Sequence, residues 1–176
     1  MPPGIKGVTL LPLADGREIA ACLISHPGHL LFFDLDPAPA LRGGGSGGGG
    51  PRGEIGRVDL PDCRGESMNP HPTKLRTLLC CDGEGALWEV EVAPDGTGGK
   101  LTLAVEAREH RWIAIDLAPS GRVGYAVVMR SKEGSVGDGL FRVQMGSGGD
   151  ELGRMDPEPI LASPWMRGVI VDPRGQ

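Results

Sequence analysis

The chain has 176 residues, enough for one domain with a single core, and its net charge of −5 comes from 18 basic and 23 acidic residues without a basic block. This disfavours a nucleic-acid-binding protein, and no apolar run approaches the roughly 18 residues of a membrane span. Hydrophobic residues make up 39% of the chain, in short alternating runs punctuated by 30 glycines and 16 prolines, so the sequence predicts an all-β fold with many turns.

The cysteines and the first residues bear on the cellular compartment. Four cysteines are too few for a disulfide scaffold: Cys22, Cys63, Cys80 and Cys81. Residues 1–16 have neither the charged head nor the long apolar stretch of a signal peptide. We therefore expect a cytoplasmic or otherwise intracellular protein with reduced cysteines.

The first group of predicted strands surrounds a run of glycines. A tight turn at 13–17 joins a first strand to the apolar strand 18–24, because its glycine tolerates the positive φ that such turns require. Segments 28–35 and 54–59 predict the third and fourth strands. The Gly-rich stretch 42–53 lies between those two strands, so it is a loop within one structural unit and no domain boundary. It is either an elongated native loop or an engineered insertion.

The same order of strands and turns returns twice. Glycines open the third strands at Gly28, Gly85 and Gly139, which are 57 and 54 residues apart (85−28 and 139−85). The hexapeptides 54–59 and 151–156, offset by 97 residues (151−54), are identical at four of six positions. Each copy therefore predicts four antiparallel strands in about 50 residues, which is typical of a β-propeller blade.

The blades together predict one partial propeller domain over residues 1–176. The middle copy is the least regular, since Asn69-Pro-His-Pro-Thr-Lys74 stands where the other copies have a turn glycine. The blades are expected at about 5–60, 63–107 and 111–160, with the first strand of a fourth blade at about 165–176.

Two turn motifs carry a resemblance to a known class. Ala14-Asp-Gly-Arg17 and Pro119-Ser-Gly-Arg122, each followed by an apolar strand and then by 29–36 or 139–145, resemble the repeats of β-propeller proteins of the YVTN and WD-repeat class. The resemblance implies a propeller. Closed propellers usually have four to eight blades, so the ring is expected to be completed either by blades on missing sequence or by a second chain. The end of the sequence in mid-turn favours a fragment.

Two carboxylates are weak candidates for a metal site. Some propellers resemble lactonases with a divalent metal on the axis, and oxygen ligands of this kind suit calcium or magnesium. Asp116 and Asp172 lie on predicted inner strands, but five and three residues before their turn glycines (121−116 and 175−172), which disfavours a shared metal ring. A zinc site is also disfavoured, because the spacing fits no zinc finger and adjacent residues of a strand point to opposite faces: Cys63, His71, Cys80 and Cys81.

The function is predicted from the fold class. Trp88, Trp112 and Trp165 are expected chiefly to pack between blades. The weak candidates for contacts with a partner are His26, His29 and, as a tryptophan on the rim, Trp165. Since no catalytic constellation is visible, we expect a protein-interaction scaffold without enzymatic activity or cofactor.

Two other functions stay open. One is a propeller hydrolase of lactonase type with an axial divalent metal, and the other is a structural subunit that closes a ring by forming a homo-oligomer. The expected partner is a protein or the missing blades of the same propeller, with no nucleic acid and no membrane.

Overall fold

The computed structural model describes residues 4–35, 53–61, 66–83, 86–106, 110–130, 138–146, 152–163, 166–172 and 174. This part of the chain contains strands and turns, and none of it forms a helix that could cross a membrane. The strands are β1 Gly4–Pro12, β2 Glu18–Ser25, β3 His29–Asp34, β4 Glu54–Asp59, β5 Ser67–Pro70, β6 Thr77–Cys81, β7 Ala86–Val92, β8 Gly99–Glu106, β9 His110–Leu117, β10 Val123–Arg130, β11 Gly139–Met145, β12 Leu152–Met155 and β13 Leu161–Ala162.

The strands form three antiparallel sheets in which neighbours in sequence are also hydrogen-bonded neighbours. Sheet 1 has the order β1-β2-β3-β4, sheet 2 has the order β5-β6-β7-β8, and sheet 3 has the order β9-β10-β11-β12. β13 pairs with Gly139 and Leu140 at the start of β11, so β12 and β13 share the outer edge of sheet 3. The predicted all-β fold with three four-stranded antiparallel units is confirmed.

The three sheets lie side by side with their first strands innermost. β5 contacts β1 on one side and β9 on the other, and the outer strands β4 and β8 also meet. The side chain of Asn69 donates a hydrogen bond from Nδ2 to the carbonyl of Ile115 at 2.7 Å, which ties β5 to β9. Lys6 pairs with Glu66 at 3.2 Å and ties β1 to the residue before β5. Sheets fanned in this way are propeller blades.

Most of the hydrophobic core lies between the sheets, because each sheet must bury an apolar face against its neighbour. All five residues of β6 are buried, since sheet 2 is covered on both sides. The principal side chains between sheets 1 and 2 are Ile19, Leu23, Leu30, Phe32, Leu78, Cys80 and Val90. Those between sheets 2 and 3 are Leu79, Cys81, Leu87, Trp112, Ile115, Phe141 and Val143.

The two described tryptophans pack in these cores, as predicted. Trp112 is fully buried between sheets 2 and 3, and Trp88 packs against the core between sheets 1 and 2. Trp88 also donates from Nε1 to Oδ2 of the buried Asp82 at 3.4 Å, while Oδ1 of Asp82 accepts from the backbone N–H of Ala86 at 3.0 Å. Asp82 thus holds the turn before β7 against the strand that carries Trp88.

Sheets 1 and 2 also touch through their backbones near the outer edge. A Cβ atom on Gly56 of β4 would overlap the carbonyl group of Thr97 in the turn between β7 and β8. Gly96 in the same turn packs near the side chains of Ile55 and Ile19. The close approach of the two sheets therefore requires glycine at position 56.

Replacing Gly56 with alanine is expected to push this turn away from β4. We expect Gly56→Ala to lower the free energy of unfolding by about 1–3 kcal/mol, the usual cost of overpacking. Gly7→Ala is the matched control, because a Cβ there meets no atom closer than 3.9 Å. Urea unfolding followed by tryptophan fluorescence measures both variants, and equal midpoints would contradict the importance of this contact.

The adjacent cysteines of β6 point to opposite faces, as expected for neighbours on a strand. Cys80 lies in the core between sheets 1 and 2, and Cys81 lies in the core between sheets 2 and 3. Both side chains are fully buried. A sheet with one face in water would expose one of two adjacent cysteines, so their burial shows that both faces of sheet 2 are covered. Burial raises the pKa of Cys81 from 9.0 to about 12.

Alkylation of the thiols tests this burial. In a Cys63→Ser chain at pH 8 and low protein concentration, we expect Cys22 to react in the folded protein, and Cys80 and Cys81 to react only after unfolding. The unfolded thiol of Cys81 loses its proton near pH 9, before the folded one does. The free energy of unfolding should therefore fall as the pH rises from about 9 to 12. Rapid modification of all three thiols in the native protein would show that β6 is exposed.

Candidate functional site

Four connections between strands lie on one side of the propeller, and together they are called the turn face. They are the β1–β2 turn at 13–17, the β5–β6 loop at 71–76, the β7–β8 turn at 93–98 and the β9–β10 turn at 118–122. A Cβ added to Gly96 would lie 3.5 Å from Cδ1 of Leu13, and one added to Gly121 would lie 2.9 Å from Oγ1 of Thr73. The connections therefore pack in pairs, the β7–β8 turn against the β1–β2 turn and the β9–β10 turn against the β5–β6 loop.

Two of these connections are tight turns at the predicted positions. In the β1–β2 turn the N–H of Leu13 donates to the carbonyl of Arg17 at 2.7 Å, and Gly16 has a φ of 86°. In the β9–β10 turn the N–H of Ala118 donates to the carbonyl of Val123 at 2.7 Å, and Gly121 has a φ of 68°. The turn glycines take the left-handed conformation that other residues rarely adopt.

Arg17 and Asp15 are exposed charges of the first turn. Its Nε donates to Oδ2 of Asp15 at 2.7 Å, and its Nη1 donates to Oδ2 of Asp34 at 2.9 Å. The hydrogen bond from Arg17 lowers the pKa of Asp15, and the same contact raises the pKa of Arg17. Both groups are solvated, so the pair orients the turn more than it stabilises the fold.

The β5–β6 loop is longer than these turns and is organised by His71. The ring is buried, and its Nδ1 accepts hydrogen bonds from the backbone N–H groups of Thr73 at 3.2 Å and Lys74 at 3.1 Å. The N–H of His71 donates to the carbonyl of Thr77 at 2.8 Å. A ring nitrogen that accepts hydrogen bonds carries no proton. Because these hydrogen bonds join His71 to three other residues of the loop and of β6, His71 supports the loop from inside.

This loop presents an apolar side chain beside a cavity. A cavity of about 260 Å³ is lined by the end of β1, from Leu10 to Pro12, and by residues 70–77. Leu75 at the crest of the loop is 62% exposed. The loop therefore places an exposed leucine directly beside a cavity.

Arginine and lysine side chains lie beside the exposed leucine. Lys74 is held by both carboxylate oxygens of Glu89, at 2.9 and 3.0 Å. Arg76 has a φ of 57° and donates from Nε to the carbonyl of Val92 at 3.3 Å. Arg76 lines the first cavity and also a second one of about 450 Å³, which Glu91 and Lys100 share. The loop thus places a guanidinium group between two cavities.

The candidate metal ligands lie in or near sheet 3 and line neither of these two cavities. Asp116 accepts hydrogen bonds from the backbone N–H groups of Leu117 at 3.0 Å and Val171 at 2.7 Å, and burial raises its pKa. Asp172 is paired with Arg174 at 2.7 Å, and hydrogen bonding to that arginine lowers the pKa of the carboxyl. Within the described parts of the chain, no three His, Cys, Asp or Glu side chains cluster to hold a metal ion.

The candidate interaction residues lie elsewhere as well. His26 has a φ of 57° and a cis peptide bond to Pro27, in the turn between β2 and β3. His29 begins β3, and its Nδ1 lies 2.8 Å from the carbonyl oxygen of Pro27. These residues are at the opposite end of β2 from the turn face. Trp165 lies outside the described residues.

Sequence patterns gave only a faint sign of the β5–β6 loop. The Asn69-Pro-His-Pro-Thr-Lys74 segment breaks the glycine-turn pattern of the other two units, and this irregularity is the signal that marks the loop. The exposure of Leu75 follows from how the loop folds over His71, which a pattern of residue types does not specify.

Comparison with known proteins identifies the fold but no family. The sequence matches no protein family and no curated protein. Its structure resembles the β-propeller domain of Cps50 (Swd1) from Myceliophteria thermophila, with a TM-score of 0.58 and 14% sequence identity. The likeness covers 94% of this chain and 45% of that one, so the chain spans a little under half the length of the propeller it matches. The shared feature is the β-propeller fold.

Proposed function

We propose that this chain is a protein-interaction scaffold of the WD- or YVTN-repeat kind, and that its turn face binds an extended peptide segment of a partner protein. The observation that carries the proposal is the β5–β6 loop, which is one residue longer than the turns at 13–17 and 118–122 and leaves Leu75 62% exposed beside a cavity. The propeller frame supports the proposal because rigid sheets hold their connecting loops in fixed relative positions.

The lining of the cavities suggests the chemistry of the peptide. Leu75, Pro70 and Pro72 offer apolar contacts, and the guanidinium of Arg76 favours a carboxylate. A cavity of about 260 Å³ is small, so it suits one side chain of a peptide better than a complete cofactor. The expected ligand is therefore a segment with an apolar residue next to an acidic one.

Selection from a displayed peptide library on the immobilised chain tests this function, with fluorescence anisotropy to measure the affinity of the selected peptides. We expect Leu75→Ser to weaken binding by about tenfold or more, as for a central apolar contact of an interface. Arg76→Gln should weaken the binding of acidic peptides more than the binding of neutral ones. Leu103→Ser is the matched control, because Leu103 is 43% exposed on β8 and lines neither cavity.

The opposite result would be equally clear. Peptides that bind Leu75→Ser as tightly as the unmodified chain would place the binding surface elsewhere. A library that yields no sequence-specific binder would contradict a peptide-binding turn face.

The hydrolase alternative makes a different prediction for divalent metal. Oxygens of Asp116 and Asp172 already accept hydrogen bonds from the protein, so a cation there would compete with Val171 or Arg174 for them. We expect the thermal unfolding midpoint to be the same in calcium and in a chelator. An increase of several degrees in calcium that is lost in Asp116→Asn would favour the axial-metal hydrolase instead.

A further inference from the structure

The three sheets differ in how their second strands are covered. β6, in the middle sheet, is buried at every residue. In β2 of sheet 1, burial alternates: Ile19, Ala21 and Leu23 are buried against sheet 2, while Ala20, Cys22 and Ile24 between them are only partly covered. Among the described residues, one side of sheet 1 therefore lacks the layer that each side of sheet 2 has.

This uncovered side is called the open face of sheet 1, and it is mainly apolar. The strand register places Val8, Cys22 and Leu31 in one row across β1, β2 and β3. Neighbouring rows contain Leu10, Ala20 and Phe33, and then Ile5, Ile24 and His29. Ile5 is 67% exposed and Val8 is 60% exposed. Contiguous apolar patches of this kind mark interaction sites in soluble proteins.

Acidic side chains border the open face. Glu18 continues the alternation of Ala20, Cys22 and Ile24 along β2, and Glu54 is paired with Phe33 in the sheet. The nearby cation Arg57 is neutralised by Asp59 at 2.6 Å. The border of the patch therefore favours a partner with basic residues.

The opposite end of the molecule offers such a surface, called the outer face of sheet 3. Leu140 and Leu161 are paired across β11 and β13, and Leu161 is 57% exposed. Residues 166–172, within the segment predicted to begin a fourth blade, are in no strand; Met166 and Val169 pack on this side of sheet 3. Exposed basic side chains lie on or beside it, namely Arg142, Arg154 and Arg167, together with one exposed acid, Glu158.

We propose that the open face of sheet 1 binds the outer face of sheet 3 of a second copy of this chain, so that two copies close one ring of six sheets. The contact would repeat the packing already present between sheets 1 and 2, with apolar rows facing apolar rows. Such a head-to-tail contact uses two different surfaces and closes when the rotation between copies completes a circle.

The length of the matched propeller domain is close to that of two copies of this chain. One copy corresponds to 45% of the matched propeller domain, so two correspond to 90% (2 × 45%). Six sheets also fall within the four to eight blades of closed propellers. The proposal depends on the fold and the two end faces, and it does not require the peptide site of the turn face.

Light scattering on the full chain over a range of concentrations tests the proposal. We expect a mass of twice 18.4 kDa for the unmodified chain. Val8→Asp should weaken the dimer by about tenfold or more, because a carboxylate would be buried among apolar side chains. Leu103→Asp is the control with an exposed leucine on neither end face, and it should remain dimeric. Far-ultraviolet circular dichroism checks that each variant is folded.

A mixing experiment distinguishes a head-to-tail contact from a symmetric one. Val8→Asp damages the open face of sheet 1, and Leu161→Asp damages the outer face of sheet 3. Each variant alone should be monomeric at concentrations where the unmodified chain is dimeric. An equimolar mixture should regain dimers, because a mixed pair has one interface with no substitution.

A measurement without a substitution in either face uses Cys22, which lies on the open face. In the Cys63→Ser chain, alkylation of Cys22 should become slower as the concentration rises through the dimer transition, since Cys80 and Cys81 are buried. An alkylation rate independent of concentration would overturn the proposal.

Other outcomes would overturn it too. A monomer at every concentration would show that the open face of sheet 1 does not bind a second copy. A dimer sensitive to Val8→Asp but not to Leu161→Asp would be a face-to-face contact without ring closure. The two proposals can fail independently. If the Val8→Asp monomer still binds the peptide and Leu75→Ser does not, the turn-face function holds whether or not the chain forms a dimer.

Discussion

Burial of sheet 2 on both of its faces is the constraint on which the arrangement of the other sheets depends. β6 has a continuous run of buried residues, Thr77–Cys81, so apolar side chains leave it in both directions. A single layer on one side would leave Leu79 or Leu78 in water. Sheets 1 and 3 each supply one cover, and their inner strands then come to lie beside β5. The turn face is a consequence, since sheets packed in this order bring their turns together.

Polar contacts add direction to this packing without supplying its driving force. Asn69 joins the inner strands of sheets 2 and 3, and Arg111 donates to the carbonyl of Gly83 at 2.8 Å farther along the same junction. Each contact satisfies a backbone carbonyl and fixes the relative height of two sheets. A propeller in which sheets could slide past each other would not keep the β5–β6 loop next to the end of β1.

The distinction between local patterns and contacts between sheets explains how much of the structure could be predicted from the sequence. Alternation of apolar residues and the left-handed turns at Gly16 and Gly121 are local properties, so the strands and their grouping into blades could be predicted. The environment of Asp116 depends on a contact with a residue far along the chain, and the exposure of Leu75 depends on the shape of its loop, so neither could be predicted from the sequence. The acceptor role of Asp116 toward Val171, 55 residues away, has no local signature. Adjacent Cys80 and Cys81 were assigned to opposite faces correctly, but only the stacking of three sheets makes both faces interior.

The need to cover each apolar sheet face also bears on the two ends of the molecule, which differ in how far they are covered. At the outer face of sheet 3, Met166 and Val169 cover part of the apolar surface, and Asp116 holds this segment through Val171. The described chain provides no corresponding cover for Ile5 and Val8 on sheet 1. Water at that face meets the kind of surface that is buried everywhere else between the sheets, and its removal is favourable by about 25 cal/mol per Å² of apolar area. The face that completes the inter-sheet packing must present both apolar side chains and positive charge, and the outer face of sheet 3 has both.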